Sequence, residues 1–212
     1  MNAFINADGK PIVMGMVRAI QENKAYLSEI DGLIGDGDHG ANMNKGFSVT
    51  GERIKDQNLS FTDCLDELGT ILLSEIGGSM GPIYGTIFLE MADAGAGAEE
   101  IDAKVFSSML TAAITGLEDI VEARVGDKTL FDTLVPARDA FDEATAGGED
   151  FRAALEKMKT GSRAGRDSTK DMVARFGRSS RLGERSRGVL DAGATSCDVI
   201  LEAMADGILA IL

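Results

Sequence analysis

Residues 31–47 read DGLIGDGDHGANMNKGF and separate two amphipathic helical patterns. They contain three aspartates, two asparagines, several glycines and the one histidine of the chain. Carboxylates are the ligands that Mg²⁺ prefers, and glycines let a ligand approach the backbone closely. Because alternate residues of an extended segment point the same way, Asp36 and Asp38 can face one site. The stretch therefore predicts a turn between two helices that binds Mg²⁺ and the phosphates of a nucleotide.

The flanking residues support this interpretation. Asp31 would end the first helix, and a second helix starting near Ala41 would direct its free N–H groups at an anion. His39 can donate a hydrogen bond to a phosphate oxygen. A solvated polar turn with a structural histidine is the plain alternative. A calcium loop is excluded because Phe47 stands where the final glutamate ligand of such a loop is required.

Helical periodicity extends over most of the chain. Pro11 suits the first turn of a helix that continues to Asp31, and Ser60 or Thr62 can cap a third helix. A long helical pattern covers residues 101–125, and the last helix runs from about residue 193 to 212. No convincing alternation of period two is present. We therefore predict an all-α fold, a single domain over residues 1–212, built as a closed antiparallel bundle of about eight helices.

Four connecting segments are rich in glycine and polar residues, namely 31–42, 77–86, 126–129 and 161–196. They follow the predicted helices one, three, five and seven. Alternate loops of an up-and-down bundle share one end, so all four would lie together. This parity predicts a single composite site at one end of the bundle.

A basic segment, residues 163–187, lies within the last of these loops. It holds eight arginines and lysines against three acids, whereas the whole chain has a formal charge of −14. The segment shows little apolar periodicity, which predicts a flexible loop. It is either a solvated loop, a lid over anionic phosphates or a docking surface for an acidic partner.

Composition excludes several classes of protein. The charge of −14 argues against a nucleic-acid partner, because phosphate backbones recruit basic surfaces. Cys64 and Cys197 lie in apolar helical patterns and are predicted to be core residues. No apolar run reaches the length of a bilayer span, and the first ten residues lack a signal pattern. We expect a cytoplasmic protein without a membrane or nucleic-acid partner.

Five motifs stand in a fixed order along the chain: Gly35-Asp36-Gly37-Asp38-His39-Gly40 with Asn42-Met43, Gly77-Gly78-Ser79-Met80-Gly81-Pro82, Gly126-Asp127-Lys128-Thr129, Leu182-Gly183-Glu184-Arg185-Ser186 and Asp191-Ala192-Gly193-Ala194-Thr195-Ser196. With these motifs the chain resembles the L subunits of dihydroxyacetone kinases, the nucleotide-binding half of a two-part kinase. The motifs span nearly the whole chain, so the resemblance is specific. Two departures from the family pattern are Met80 and Ala192, which replace the usual serine and proline.

The resemblance implies an eight-helix barrel that holds ADP or ATP and two Mg²⁺ ions at one end. It implies that Asp31, Asp36 and Asp38 coordinate the metal and that Arg185 lies near the transferred phosphoryl group. These four residues and His39 are the candidate catalytic set. The candidate nucleotide contacts are His39, Asn42, Ser79, Met80, Leu130, Arg175, Asp191, Ala192 and Gly193.

The resemblance also implies a partner, a separate K subunit that holds dihydroxyacetone or a related ketose. The sequence is compatible with two phosphoryl donors. ADP could remain bound as a cofactor that a phosphotransferase-system protein rephosphorylates, or ATP could exchange as a substrate. A homodimer stays open as well. The alternative function is a nucleotide-sensing partner of a transcription factor, without catalysis of its own. Fatty-acid kinase relatives rank lower, because they would carry threonine where His39 stands.

Overall fold

The computed structural model describes residues 2–212 as eight α-helices, three short 3-10 segments and one small sheet. The helices are α1 (Lys10–Ile34), α2 (His39–Ile54), α3 (Phe61–Glu75), α4 (Met80–Gly95), α5 (Ala103–Ile120), α6 (Phe131–Ala146), α7 (Phe151–Ser168) and α8 (Ala192–Ile211). The 3-10 segments are Asn6–Asp8, Thr169–Asp171 and Arg178–Ser186, and strands β1 (Ala3–Ile5) and β2 (Glu100–Asp102) pair antiparallel.

The helices form a ring in which each one packs against its neighbours in the chain. The ring closes because α8 packs against α1. The closure is tight near the start of α1, where a side chain at Gly207 would meet the Cα atom of Ile12 at 3.0 Å. Buried aromatic side chains fill the interior, including Phe106, Phe141 and Phe151 in mutual contact. The prediction of an all-α barrel of about eight helices is confirmed.

Three helices that begin at one end of the barrel carry their own N-terminal side-chain caps. Ser60 and Asp63 form a reciprocal capping box at the start of α3. Asp102 accepts a hydrogen bond from a backbone N–H in the first turn of α5, and Asp150 does the same in α7. These caps satisfy N–H groups that a helix cannot pair internally. The fourth helix that starts at this end, α1, has Gly9 before it and no side-chain cap.

Helices α7 and α8 are joined by three ion pairs along their length, namely Lys159–Asp206, Arg163–Glu202 and Arg166–Asp198. The prediction of a flexible loop from residue 163 onward is therefore wrong for its first part, because α7 continues to Ser168. Small residues conceal the helical period there. A side chain at Gly165 would overlap the backbone of α6, so the second half of α7 buries only small residues such as Ser162 and Gly165 and shows no apolar pattern.

Other boundaries also differ from the sequence predictions. Helix α5 ends at Ile120, and α2 begins two residues earlier than Ala41. The strands β1 and β2 were not predicted, because three residues are too few to show an alternating pattern. Within residues 2–212, no helix combines the length and the apolar character needed to cross a bilayer.

Candidate functional site

A cavity of about 740 Å³ opens at the end of the barrel where α1, α3, α5 and α7 finish. All four polar connections that the parity argument brought together contribute to its wall. Eleven of the residues singled out from the sequence line it: Asp31, Asp36, Asp38, His39, Asn42, Ser79, Met80, Leu130, Asp191, Ala192 and Gly193. The cavity is large enough for a ligand of nucleotide size.

Three carboxylates cluster on one side of the cavity. Asp31 lies in the last turn of α1, and Asp36 and Asp38 follow in the connection to α2. One ligand oxygen from each lies within 4.8 Å of the other two. Glycine suits position 35, because a Cβ atom there would crowd both the Asp31 carboxylate and, at 2.9 Å, the Asp31 backbone carbonyl. An all-oxygen donor set at this separation fits Mg²⁺, which takes carboxylates together with phosphate oxygens.

The helices that begin at the cavity differ from those that begin at the opposite end. Within residues 2–212, α2, α4 and α6 each start without a side-chain cap. In α6 the first N–H groups already have partners, because Phe131 donates to the Thr129 hydroxyl and Asp132 and Thr133 donate to backbone carbonyls. In α2 the N–H of His39 donates to the Asp31 carboxylate at 3.3 Å. The other first-turn N–H groups of α2 and those of α4 can donate to an anion, and the helix dipoles favour negative charge. The turn before α4 adds room, because a Cβ atom at Gly77 or Gly78 would meet no protein atom within 4 Å. These features form a cradle for phosphate groups.

His39 stands at the base of this cradle in a buried polar chain. Its Nε2 atom lies 2.7 Å from the Ser196 hydroxyl, which lies 2.6 Å from the Tyr84 hydroxyl. Burial lowers the pKa of His39 to about 4, an effect that the nearby Asp31 carboxylate partly opposes. The imidazole is therefore neutral at pH 7, and it serves as a hydrogen-bonding group held in place from α4 and α8.

Asp191 caps α8 on the far wall of the cavity. Its carboxylate accepts a hydrogen bond of 2.8 Å from the backbone N–H of Ala194. Removal from water raises the pKa of Asp191 to about 6, although this hydrogen bond and the nearby Lys128 ammonium act in the opposite direction. Unlike α2, α4 and α6, α8 therefore brings a carboxyl group of raised pKa to the cavity wall.

A segment that we call the lid, residues 172–190, covers one side of the cavity. Phe176, Gly177, Arg178 and Ser179 from the lid line the cavity. The Arg178 guanidinium contacts the Asp36 carboxylate and lies 3.5 Å from that of Asp38. Sequence reasoning assigned no role to Arg178. The one available signal was the basic charge of the segment, which does not show which of its arginines faces the acids.

Comparison with known proteins identifies the family. A model of the DAK2 domain matches residues 33–206, more than three quarters of the chain. The chain belongs to the DAK2 domain family.

Relatives of this DAK2 chain cover nearly its whole length. The ADP-binding subunit DhaL of PEP-dependent dihydroxyacetone kinase 1 from Listeria innocua is 38% identical, over 87% of this chain and 88% of that protein. The corresponding DhaL subunit from Escherichia coli is 36% identical, over 85% of this chain and 86% of that protein.

A solved structure shares the fold of this DAK2 chain. The dihydroxyacetone kinase from C. freundii in complex with AMP-PNP and Mg²⁺ superposes with a TM-score of 0.69 at 20% sequence identity. The match covers 97% of this chain but only 35% of the longer C. freundii chain.

Two arginines singled out from the sequence lie outside the cavity wall of this DAK2 domain. Arg175 is exposed, and its guanidinium contacts the carboxylate of Asp127 at 3.1 Å. Arg185 is exposed on the 3-10 segment of the lid. The structure brings both residues to the lid but not to the acid cluster, which Arg178 reaches instead.

Proposed function

We propose that this chain, as one nucleotide-binding domain over residues 1–212, is a subunit of a kinase that phosphorylates dihydroxyacetone or a related small ketose. One observation carries the proposal: three carboxylates and the uncapped N-termini of α2 and α4 face a single cavity. The names of the Listeria and E. coli relatives, each an ADP-binding subunit, support the same function. The C. freundii kinase was solved in complex with AMP-PNP and Mg²⁺, which supports a nucleotide and a metal.

Asp31, Asp36 and Asp38 would hold Mg²⁺ in this proposal. The bound metal would neutralise charge on the phosphate oxygens during transfer. We propose two ions, because three carboxylates together with phosphate oxygens exceed what one octahedral ion needs. Gly35 and Gly37 support this arrangement by letting the backbone turn sharply between the acids.

The protein's own groups would orient the phosphates. The N–H groups at the starts of α2 and α4 would donate to phosphate oxygens, and the side chains of His39 and Asn42 would add hydrogen bonds. His39 would act as a hydrogen-bond partner, because burial lowers its pKa to about 4 and makes it a weak proton acceptor. Arg178 and Arg185 of the lid would bring positive charge toward the transferring group.

The nucleoside would occupy the less polar part of the cavity. Met80, Ile83, Leu130 and Ala192 line it, and their apolar atoms suit the faces of a base. Ser79 and Gly193 would border the sugar and phosphates. In this arrangement Met80 and Ala192 supply packing surface, so neither departure from the family pattern removes a required polar contact.

The K subunit would dock on an apolar rim around the cavity. Five exposed apolar side chains belong to this rim: Leu33, Leu73, Ile120, Val125 and Phe176. They come from the ends of α1, α3 and α5, the following loop and the lid, all at the cavity end. Exposed apolar groups concentrated in one region mark an interaction surface, and the ketose-bearing subunit must approach here for the phosphoryl group to reach it.

The deciding experiment measures nucleotide retention and phosphoryl transfer in Asp36→Ala. The purified protein is denatured, and the released nucleotide is identified by chromatography. Transfer to dihydroxyacetone is then measured with an added K subunit. We expect Asp36→Ala to lose both properties, whereas Asp56→Ala, an exposed aspartate between α2 and α3 at the opposite end, should keep both. A fully active Asp36→Ala protein would contradict the metal assignment.

The same preparation identifies the phosphoryl donor. ADP that stays bound through purification and exchanges slowly with labelled ATP would support a resident cofactor, rephosphorylated by a phosphotransferase-system protein. Rapid exchange would support ATP as the substrate. Failure to bind either nucleotide in the presence of Mg²⁺ would contradict the proposed function.

A further inference from the structure

Lys128 is a buried lysine in the turn between α5 and α6. Its exposed fraction is 1%, and its φ angle is 62°. Within residues 2–212, it is the single residue other than glycine with a positive φ. L-amino acids adopt this conformation rarely, and a buried ammonium group must be hydrogen-bonded to be tolerated. Both features are costly, so we infer that the fixed position of the Lys128 side chain outweighs the cost of the backbone strain at this residue.

The Lys128 ammonium group contacts the segment just before the lid and the end of the lid. It donates a hydrogen bond of 2.5 Å to the carbonyl oxygen of Thr169 and a second one to the carbonyl oxygen of Val189. Thr169 directly follows α7, and Val189 lies just before α8. Lys128 therefore links the segment that leads into the lid to the end of the lid. Two backbone N–H groups make the same link, because Gly188 donates to the Lys170 carbonyl and Asp191 donates to the Thr169 hydroxyl.

The neighbouring residue adds a second attachment. The backbone carbonyl of Asp127 accepts a hydrogen bond of 3.1 Å from the backbone N–H of Arg175, and the Asp127 carboxylate contacts the guanidinium of the same arginine. The turn 126–129 thus fixes the lid before residue 176 and again at residue 189. Between these points, Gly177, Gly183 and Gly188 have positive φ angles and open space around them. The lid is therefore held at its ends and is free of close packing at its glycines.

We propose that Lys128 is a positioning residue that fixes the lid over the cavity, so that Phe176 and Arg178 reach the cavity wall. Its effect on phosphoryl transfer rests on the proposed function, whereas its effect on the lid does not. The competing role for a lysine on this wall is a direct phosphate contact. The two roles differ in what the loss of the side chain does to the lid and to nucleotide affinity.

The first test is limited proteolysis with trypsin of the whole protein, with the cuts mapped by mass spectrometry. The lid offers arginines at positions 175, 178, 181, 185 and 187. Lys128→Met keeps the volume of the side chain, and Lys128→Gly relieves the positive φ while removing the ammonium. We expect both variants to be cut in the lid about tenfold faster than the parent. Lys157→Met, on the exposed face of α7, should be cut at the parental rate.

A fluorescent reporter and kinetics provide the second test. The chain has no tryptophan, so Phe176→Trp gives a single indole at the cavity mouth. In this background, Lys128→Met should shift the indole emission to longer wavelength and reduce kcat for phosphoryl transfer about tenfold, with the nucleotide Kd changed less than about threefold.

Three outcomes would overturn the proposal. Unchanged lid cleavage in both folded variants would show that Lys128 does not fix the lid. A large rise in nucleotide Kd with unchanged cleavage would support a direct phosphate contact instead. Loss of helical circular dichroism in both variants would make Lys128 a determinant of the barrel. If the parent protein transfers no phosphate to any ketose, the proposed function fails, yet the trypsin and fluorescence results still decide the role of Lys128 in the lid.

Discussion

The two ends of this barrel differ in how the first backbone N–H groups of their helices are satisfied. At the end opposite the cavity, α3, α5 and α7 begin with Ser60, Asp102 and Asp150, whose side chains satisfy the first N–H groups. At the cavity end, α2, α4 and α6 begin without such caps, within the chain that the structure describes. Two helices depart from this pattern, because α1 starts without a side-chain cap at the opposite end and Asp191 caps α8 at the cavity end. The starts of α2 and α4 leave backbone N–H groups that a bound anion can satisfy.

This difference predicts that side chains at one end determine stability and side chains at the other determine binding. Side chains at the closed end pair with backbone groups of their own helices, so their removal should weaken folding alone. Side chains at the cavity end include three clustered acids and a carboxyl of raised pKa, which are unfavourable unless a ligand or a cation compensates them. Substitutions at the two ends should therefore have opposite consequences.

The largest expected effect belongs to Arg178→Ala. The Arg178 guanidinium is next to Asp36 and Asp38, where the transferring phosphate would lie. We expect the rate of transfer to fall about a hundredfold with little change in the melting temperature. Mg²⁺ affinity without nucleotide, measured by calorimetry, should rise, because the guanidinium no longer competes for the carboxylates. Arg152→Ala, an exposed arginine of α7 near the closed end, serves as control. Phosphoryl transfer at the parental rate by Arg178→Ala would contradict a role of the lid in the mechanism.

Asp191→Asn should produce the next largest effect, a gain in stability that depends on pH. The folded protein holds Asp191 at a pKa of about 6, above its ordinary value of 3.8, so folding favours the protonated form. The stability that protonated Asp191 contributes to the folded protein is therefore full below pH 4 and is lost as the pH rises through 6. Asparagine can cap α8 without a charge. The variant should be about 2 kcal/mol more stable than the parent at pH 7 and about equal to it at pH 4.

Urea unfolding at several pH values would measure this effect. A constant difference between the parent and Asp191→Asn from pH 4 to pH 7 would contradict the raised pKa.

Gly77→Ala tests the cradle at the start of α4. The added methyl group would enter open space in the cavity and would meet no protein atom within 4 Å. We expect nucleotide affinity to fall about tenfold while the unfolding free energy stays within about 0.5 kcal/mol of the parent. Gly15→Ala adds a methyl group to α1 away from the cavity, and it should leave affinity unchanged. Equal affinities of Gly77→Ala and the parent would mean that phosphate lies elsewhere.

Asp150→Ala at the closed end should have the smallest effect. It removes the hydrogen bond that the Asp150 carboxylate accepts from the backbone N–H of Ala153. We expect a loss of about 1 kcal/mol in unfolding free energy and no change in nucleotide affinity. Chemical denaturation and a nucleotide titration of the same sample give both values. Weaker nucleotide binding in this variant would contradict the prediction that side chains at the closed end affect stability alone.

Much of the fold followed from sequence because it depends on local patterns. Helical periodicity and glycine-rich turns predict the number of helices. Because alternate loops of a bundle share one end, the helix order also predicts that the four loops lie together. The acid cluster was predictable for the same reason, since Asp36 and Asp38 are close in sequence and follow the helix that carries Asp31. Local spacing was sufficient to bring these three residues together.

The lid was less predictable because its contacts are not local. Arg178 contacts residues about 140 positions earlier in the chain, and Lys128 donates to carbonyl groups just before the lid and near its end. The family resemblance implies that Arg175 and Arg185 lie at the site, yet a segment without regular periodicity does not reveal which side chains face inward. Backbone carbonyls carry no sequence signature at all, so the attachment through Lys128 could be found only in three dimensions.

The even number of helices has a practical consequence for measuring the protein. Because α1 starts and α8 finishes at the same end, Lys10 and Ile211 both lie away from the cavity, and Gly207 packs directly on Ile12. An affinity tag at Leu212 would therefore anchor the molecule to a sensor chip with its binding mouth facing the flowing solution. Nucleotides and a candidate K subunit could then be passed over one immobilised sample, and their on- and off-rates compared without blocking by the surface.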